Sequence, residues 1–177
     1  SAAGVATALL ADRADLEEAR VAVLVPPGFT WLTTVLGIWR AGGMAVPLPI
    51  AAPDIELARA LEDAEPEAIW VDSELIDRIV PAAATLGIAV HSTSEFVPLA
   101  TAYDPGAEGL LPIVPQERGA LMLYTSGTTG RPKGVVHTHA SLSAQVGALL
   151  EAWRWSAEDH ALLVLPLHHV HGIVNVV

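Results

Sequence analysis

The residues best suited to chemistry in this sequence form one short segment, Tyr124 to Gly134, which holds three glycines, three threonines, one serine and one lysine. Glycines allow backbone N–H groups to approach a ligand closely, and consecutive N–H groups in tight turns form an anion-binding concavity. Hydroxyl groups add adjustable donors, and a lysine adds a point charge suited to phosphate. The segment therefore predicts a polyphosphate-binding loop, against the alternative of an ordinary surface turn.

The charge pattern around this loop favours the same interpretation. Every Asp and Glu lies outside residues 118–150, whereas Arg118, Arg131 and Lys133 lie inside that window. Lys133 is the only lysine of the chain, and the other basic residues are all arginine. A local excess of positive charge attracts anions, so the pattern supports phosphate as the ligand.

The loop differs from the two common nucleotide motifs. The pattern Gly-x-x-x-x-Gly-Lys-Ser/Thr is absent because Lys133 follows Pro132 and precedes Gly134. No Gly-x-Gly-x-x-Gly dinucleotide fingerprint occurs either. The stretch from Met122 to Lys133 instead resembles the AMP-binding signature of the adenylate-forming enzymes, a superfamily that includes acyl-CoA synthetases, adenylation domains of peptide synthetases and luciferases.

This resemblance implies a reaction and a set of site residues. In such enzymes a carboxylate attacks the α-phosphate of ATP, pyrophosphate leaves, and the thiol of CoA then displaces AMP from the acyl-adenylate. The resemblance implies that the loop embraces the β- and γ-phosphates with Mg²⁺, and that Lys133 acts with the hydroxyls of Thr128 and Thr129. The predicted nucleotide-binding residues are Thr125, Ser126, Gly127, Thr128, Thr129, Gly130, Arg131, Pro132 and Lys133.

A second candidate segment is the histidine-rich stretch from Pro166 to Gly172. It is similar to the family motif that lines the acyl pocket beside the adenylate. The match implies that His169 borders the acyl and α-phosphate region as a catalytic residue, and that His171 and Gly172 belong to the substrate pocket. An imidazole can donate a hydrogen bond to a carboxylate or phosphoryl oxygen. For His168 the pattern leaves a structural and a functional role equally open.

Histidines at such spacing can also bind zinc, and five of the seven fall in two groups. However, the chain has no cysteine and no His-Glu-x-x-His pattern, so we predict no metal site formed by these residues. His137 and His139 are better interpreted as the polar end of a strand that follows the loop. The lack of cysteine also excludes disulfides and a catalytic thiol.

Three further segments extend the resemblance along the chain. Trp39 to Leu48 looks like the early Ala-Gly-Gly…Val-Pro segment of the superfamily, and His137 to Leu142 resembles the Thr-His-x-x-Leu element of acyl-CoA synthetases. Trp153 to Asn175 most resembles malonyl-CoA and methylmalonyl-CoA synthetases, which implies malonate or a related small carboxylate as substrate. An adenylation domain that loads a carrier protein, and a non-catalytic nucleotide-binding module, are the alternatives.

Several functional parts of the superfamily have no counterpart in this chain. Its ribose-binding Asp, its magnesium-associated Glu and its small carboxy-terminal domain with a catalytic Lys would all lie beyond Val177. A composition with 52% hydrophobic and only 16% charged residues indicates faces that more polypeptide covers. We therefore expect that this chain is a portion of a larger ligase and that its partner is the rest of that protein. We also expect no turnover by these residues alone.

Composition excludes other partners. The formal net charge of −11 and the lack of a basic patch with interleaved aromatics argue against nucleic acid. No apolar run approaches the roughly 18–20 residues that span a bilayer. The amino end lacks the basic region of a signal peptide, so the cytoplasm is the expected compartment.

The surrounding pattern predicts the elements that position both segments. Strands that alternate with helices indicate an α/β fold with a mainly parallel sheet, an incomplete portion of the large N-terminal domain of an adenylate-forming enzyme. Residues 1–97 form its βαβ portion, 98–117 a Pro-rich connector, and 118–177 its phosphate-loop and acyl-pocket portion. The expected helices are Val5–Arg20, Phe29–Ala41, Ile55–Ala64 (capped by Asp54), Glu74–Leu86 and His139–Trp155. The expected strands are Arg20–Val25, Met44–Val46, Ala68–Val71, Ile88–Val90, Ala120–Tyr124, Val135–His137 and Ala161–Leu165.

Overall fold

The computed structural model describes residues 1–95, 111–125 and 133–177, and it confirms an α/β fold built on a mainly parallel sheet. The strands are β1 (Arg20–Leu24), β2 (Met44–Pro47), β3 (Ala68–Val71), β4 (Ala89–Ser92), β5 (Gly119–Thr125) and β6 (Lys133–Thr138). The helices are α1 (Ala2–Leu10), α2 (Phe29–Arg40), α3 (Asp54–Ala64), α4 (Ile76–Leu86), α5 (His139–Trp153) and α6 (Val170–Val174), with short 3₁₀ turns at Ser73–Leu75 and Thr93–Glu95.

The six strands form one sheet in the order β4-β3-β1-β2-β5-β6. Pairing is parallel from β4 across to β5, and only β5 and β6 are antiparallel. Because the chain moves from β1 to β2 on one side and then to β3 on the other, the strand order reverses near the centre. Ligands of open α/β sheets bind beyond the carboxyl ends of the parallel strands, which is the edge where β5 ends.

The sheet separates two apolar cores. Along β1, Val21 and Val23 point into a core formed with α1, α2, α5 and α6, whereas Ala22 and Leu24 point into a core formed with α3 and α4. A strand covered on both faces needs apolar residues at every position, and this explains the continuous apolar run of β1. No described helix is long and apolar enough to cross a membrane.

The first helix is shorter than the sequence predicts. The pattern predicts Val5–Arg20, but α1 ends at Leu10, and Ala11 has a positive φ of 47°. Residues beyond it form turns that are held by their own side chains, because Asp15 accepts from the backbone N–H of Glu17 at 2.8 Å. Asp15 therefore stabilises a turn rather than lying on a helix.

Two further helix starts differ in detail. Asp54 does not cap α3, because Pro53 occupies the cap position and the Asp54 carboxylate accepts a hydrogen bond from Arg78 Nε at 2.8 Å. The helix predicted from Glu74 begins as a 3₁₀ turn, in which the Glu74 N–H donates to the Asp72 carboxylate at 3.0 Å, and α4 itself starts at Ile76.

The predicted buried strand Ala161–Leu165 is wrong. The segment has no strand structure, and Leu162 and Val164 are 88% and 76% exposed. A strand requires a neighbour that pairs with its backbone groups. None of the six described strands pairs with this segment, so its apolar pattern does not lead to a strand here.

Candidate nucleotide-binding site

The β5–β6 hairpin brings the two ends of the predicted phosphate loop together. The strands are antiparallel, and Thr125 at the end of β5 lies opposite Lys133 at the start of β6. Both side chains are exposed to solvent. The remaining predicted nucleotide-binding residues stay predictions, because they lie outside the described residues: Ser126, Gly127, Thr128, Thr129, Gly130, Arg131 and Pro132.

Alternating side chains of β5 fix the hairpin to both cores. Leu121 and Leu123 lie in the core on the α1/α2 side, Met122 lies in the core on the α3/α4 side, and Tyr124 packs against that second core. Opposite Tyr124 stands Gly134, where a Cβ would overlap with the terminal methyl group of Met122. The glycine next to the lysine is thus explained by close packing between the two strands.

Two acidic side chains from the turns after α1 hold the start of β5. Arg118 donates to Asp15 at 2.7 Å, and the backbone N–H of Gly119 donates to Glu18 at 2.6 Å. Burial alone would raise the pKa of Asp15, but the Glu17 N–H and the Arg118 guanidinium together hold it below its ordinary value. The charge of Arg118 is therefore compensated by Asp15. The expectation that Arg118 adds to the positive charge available to an anion is wrong.

Of the two histidines that follow the loop, His139 contributes to packing beside the hairpin. His137 lies in β6 as expected, but His139 begins α5, a helix capped by the Thr138 hydroxyl. The His139 ring meets Trp39 edge-on at 5.7 Å, and Trp39 Nε1 donates to the carbonyl of Ala120 at 2.7 Å. Burial lowers the pKa of His139, which favours a neutral ring at this contact.

The second predicted segment forms the amino end of the short helix α6. His169 occupies the cap position and is exposed, and its ring lies 4.3 Å from that of His168. Burial, with the nearby charge of His169, lowers the pKa of His168. His171 is exposed, with its ring 6.4 Å from that of Trp153. Gly172 is buried, and a Cβ there would overlap with the carbonyl oxygen of Pro166.

Among the described residues, the three histidines make no hydrogen bond or ring contact with the hairpin. The ring contacts and hydrogen bonds of His168, His169 and His171 stay within residues 153–175. A ligand that spans both segments would therefore have to bridge them.

An apolar groove that the sequence does not single out lies beside α6. It encloses about 270 Å³ between the carboxyl half of α5 and residues 174–177. His169, His171 and Gly172 do not line it. The sequence signal for this groove is the series of apolar residues on α5, of which only Leu142 is buried. Its lining residues are Val146, Leu149, Leu150, Trp153, Trp155, Val174, Asn175, Val176 and Val177.

The donor set at the hairpin fits phosphate better than a metal ion. A lysine ammonium offers three donors and no acceptor, so Lys133 suits phosphate oxygens and excludes direct metal ligation. Mg²⁺ prefers carboxylate and phosphate oxygens, and Thr125 alone cannot supply its ligands. Within residues 1–95, 111–125 and 133–177, no group of three His, Asp or Glu side chains is placed to hold a metal ion.

Comparison with known protein families defines the class of this fold and site. The model of the AMP-binding enzyme family matches residues 2–177. The chain therefore belongs to the AMP-binding enzymes, and the resemblance inferred from the segment between Met122 and Lys133 is confirmed.

Individual relatives narrow the likeness within that class. The chain is 40% identical over 169 residues to a malonate–CoA ligase of Arabidopsis thaliana, a match covering 90% of this chain and 27% of the relative. It is 37% identical over 161 residues to the mitochondrial malonate–CoA ligase of Mus musculus, covering 91% and 28%. Its fold matches ATP-bound MatB from Rhodopseudomonas palustris with a TM-score of 0.82 at 29% identity, covering 98% of this chain and 35% of that one. The chain thus spans about a third or less of the length of these three proteins.

Proposed function

We propose that this chain is part of an ATP-dependent, AMP-forming acyl-CoA synthetase that acts on malonate or a related small carboxylate. The observation that carries the proposal is the hairpin of an AMP-binding enzyme whose open end presents Lys133 opposite Thr125. The two malonate–CoA ligases support the substrate class, and ATP-bound MatB supports the nucleotide.

The hairpin would bind the β- and γ-phosphates, which leave as pyrophosphate. When a carboxylate attacks the α-phosphate, negative charge grows on the departing pyrophosphate, and fixed cations and donors placed there lower the barrier. Lys133 is exposed at the start of β6, a strand that pairs with β5, so its ammonium would extend toward the phosphates. Thr125, with the predicted donors Thr128 and Thr129, would add neutral hydrogen bonds. Mg²⁺ would neutralise the phosphates further.

The histidine segment would serve the acyl end. His169 is exposed at the cap of α6, and a neutral imidazole there can donate to a carboxylate or phosphoryl oxygen. His171 would border the acyl group, whereas Gly172 is buried against the carbonyl oxygen of Pro166. We propose that the second carboxylate of malonate is neutralised by a cation that these 177 residues do not contribute, and that the isolated chain does not turn over.

The test is ATP–pyrophosphate exchange by the full-length protein with malonate, methylmalonate, acetate and amino acids, followed by an assay for the CoA thioester. We expect malonate-dependent exchange and malonyl-CoA. Transfer to a carrier protein without any CoA thioester would favour the carrier-loading alternative. ATP binding without exchange on any carboxylate would favour a non-catalytic module.

The same assay tests the role of the lysine. Lys133→Ala is expected to lower the exchange rate by about 10²–10³-fold, because one preorganised donor is lost where charge develops. The matched control is Arg59→Ala, which removes an exposed cation from α3 and should leave exchange unchanged. Full exchange by Lys133→Ala would contradict the proposed site.

A further inference from the structure

A half-buried tyrosine, Tyr124, contacts the exposed Asp63 just before the open end of the hairpin. The hydroxyl oxygen of Tyr124 lies 2.8 Å from Asp63 Oδ2 and 3.1 Å from the carbonyl oxygen of Ala60. Tyr124 immediately precedes Thr125, which lies opposite Lys133. A hydrogen bond at Tyr124 therefore connects α3 to the backbone one residue from the candidate phosphate-binding pair.

The open end of the hairpin has little other support from the sheet. The pairing of β5 with β2 is at Leu121 and Ala45, four residues before Thr125. Beyond that point β5 is held to the body through its side chains, and the facing residues of β6, Val135 and Val136, are 40% and 51% exposed. Small rotations of this end would displace Thr125 and Lys133 together.

The other end of the contact lies on a rigid element. Leu57 and Leu61 of α3 are fully buried, and Arg20 of the central strand donates to the carbonyl of Ala64 at 2.7 Å. At the amino end of α3, Arg78 donates to Asp54 and to the carbonyls of Ile50 and Ala52. Asp63 thus projects from a helix that is fixed at both ends.

We propose that Tyr124 and Asp63 form a positioning pair that sets the place of Thr125 and Lys133 and thereby the affinity of the hairpin for ATP. This inference rests on the proposed function. Neither residue is a catalytic residue, because each acts through the hairpin backbone.

The chemistry of the pair suits a fixed tether. The single hydroxyl proton of Tyr124 goes to the nearer, charged acceptor, and hydrogen bonds to a carboxylate are stronger than those between neutral groups. Burial, with the adjacent Asp63 carboxylate, raises the pKa of Tyr124, so the hydroxyl keeps its proton throughout the pH range of an enzyme assay. The Tyr124 ring packs against the core on the α3/α4 side, and its hydroxyl group fixes the position of the ring relative to α3.

The experiment measures ATP–pyrophosphate exchange by the full-length protein, with KM for ATP and kcat determined separately. Tyr124→Phe keeps the ring and removes the tether. We expect a rise in KM for ATP of about five- to tenfold, the fold-change of losing one ordinary hydrogen bond, because the Asp63 carboxylate is exposed to solvent. Asp63→Ala should behave alike, whereas Asp63→Asn keeps an acceptor oxygen and should restore most of the affinity. Glu62→Gln, which removes an exposed charge from the same helix, is the matched control.

The Tyr124→Phe/Asp63→Ala double variant separates positioning from simple destabilisation. A positioning pair predicts that the double variant is no worse than either single variant, with an unchanged KM for the carboxylate. If the variants lose only a fraction of active enzyme while KM for ATP stays unchanged, the inference is overturned. Wild-type kinetics in Tyr124→Phe would also overturn it. Wild-type protein that fails to exchange would instead refute the proposed function.

Discussion

The centre of the sheet and the segment from α5 to the carboxyl end differ in how far their apolar side chains are buried. In β1, four of five residues are buried, and Leu24 is fully buried. On α5, Leu142 is the one buried residue, although the helix carries several other apolar side chains, and Leu162 and Val164 beyond it are almost fully exposed. An apolar pattern in the sequence therefore predicts a buried side chain only where another element of the described chain packs over it.

The largest expected difference between the two regions is in the free energy of unfolding. Leu24→Ala should lower it by about 2–5 kcal/mol, because a filled site between the sheet and α3 becomes a cavity. Leu162→Ala removes the same atoms from an exposed position and should change it by less than about 0.5 kcal/mol. Urea unfolding measures both. Equal losses at the two positions would show that the segment around Leu162 is packed, and the contrast would then fail.

A pair of glycine substitutions sharpens the same contrast. Gly134→Ala should destabilise the protein by about 1 kcal/mol, the low end of the cost of overpacking, because its methyl group must displace the flexible end of the Met122 side chain. Gly147→Ala on α5 meets no atom within 4 Å and should stabilise by about 0.5–1 kcal/mol through helix propensity. Thermal unfolding would report opposite shifts. A stabilising Gly134→Ala would refute close packing at the hairpin.

The smallest expected effect concerns pH. The pKa of Asp15 is lower in the folded state than its unfolded value of about 3.9, so the folded state binds fewer protons in this range. Its contribution to stability should be present above about pH 4 and lost as the pH falls through the folded pKa. Asp15→Asn should remove this acid-dependent part and lower stability at pH 7 by about 1 kcal/mol. Identical acid unfolding curves for both proteins would contradict the anchoring of Arg118.

Much of the fold could be predicted because the parallel strands are covered on both faces. The apolar runs at Arg20–Val25 and Ala68–Val71 match β1 and β3 nearly residue for residue, and Phe29–Ala41 matches α2. The turns after α1 could not be predicted, because Asp15 and Glu18 are held by partners about 100 residues away. Helical spacing in Val5–Arg20 is local information, whereas these contacts are long-range.

The candidate site could be predicted in part. The sequence placed Thr125 and Lys133 in one loop, and the structure sets them opposite each other across the hairpin. The role of Asp63 could not be seen, because an acidic residue on an amphipathic helix resembles any solvated surface residue. Only the fold brings it to Tyr124, 61 positions along the chain.

A crystal structure of the full-length protein with ATP tests the central claim most directly. The account predicts β- or γ-phosphate oxygens within about 2.7–3.2 Å of Lys133 Nζ, at the open end of the β5–β6 hairpin. A nucleotide bound elsewhere, with Lys133 facing solvent alone, would contradict it.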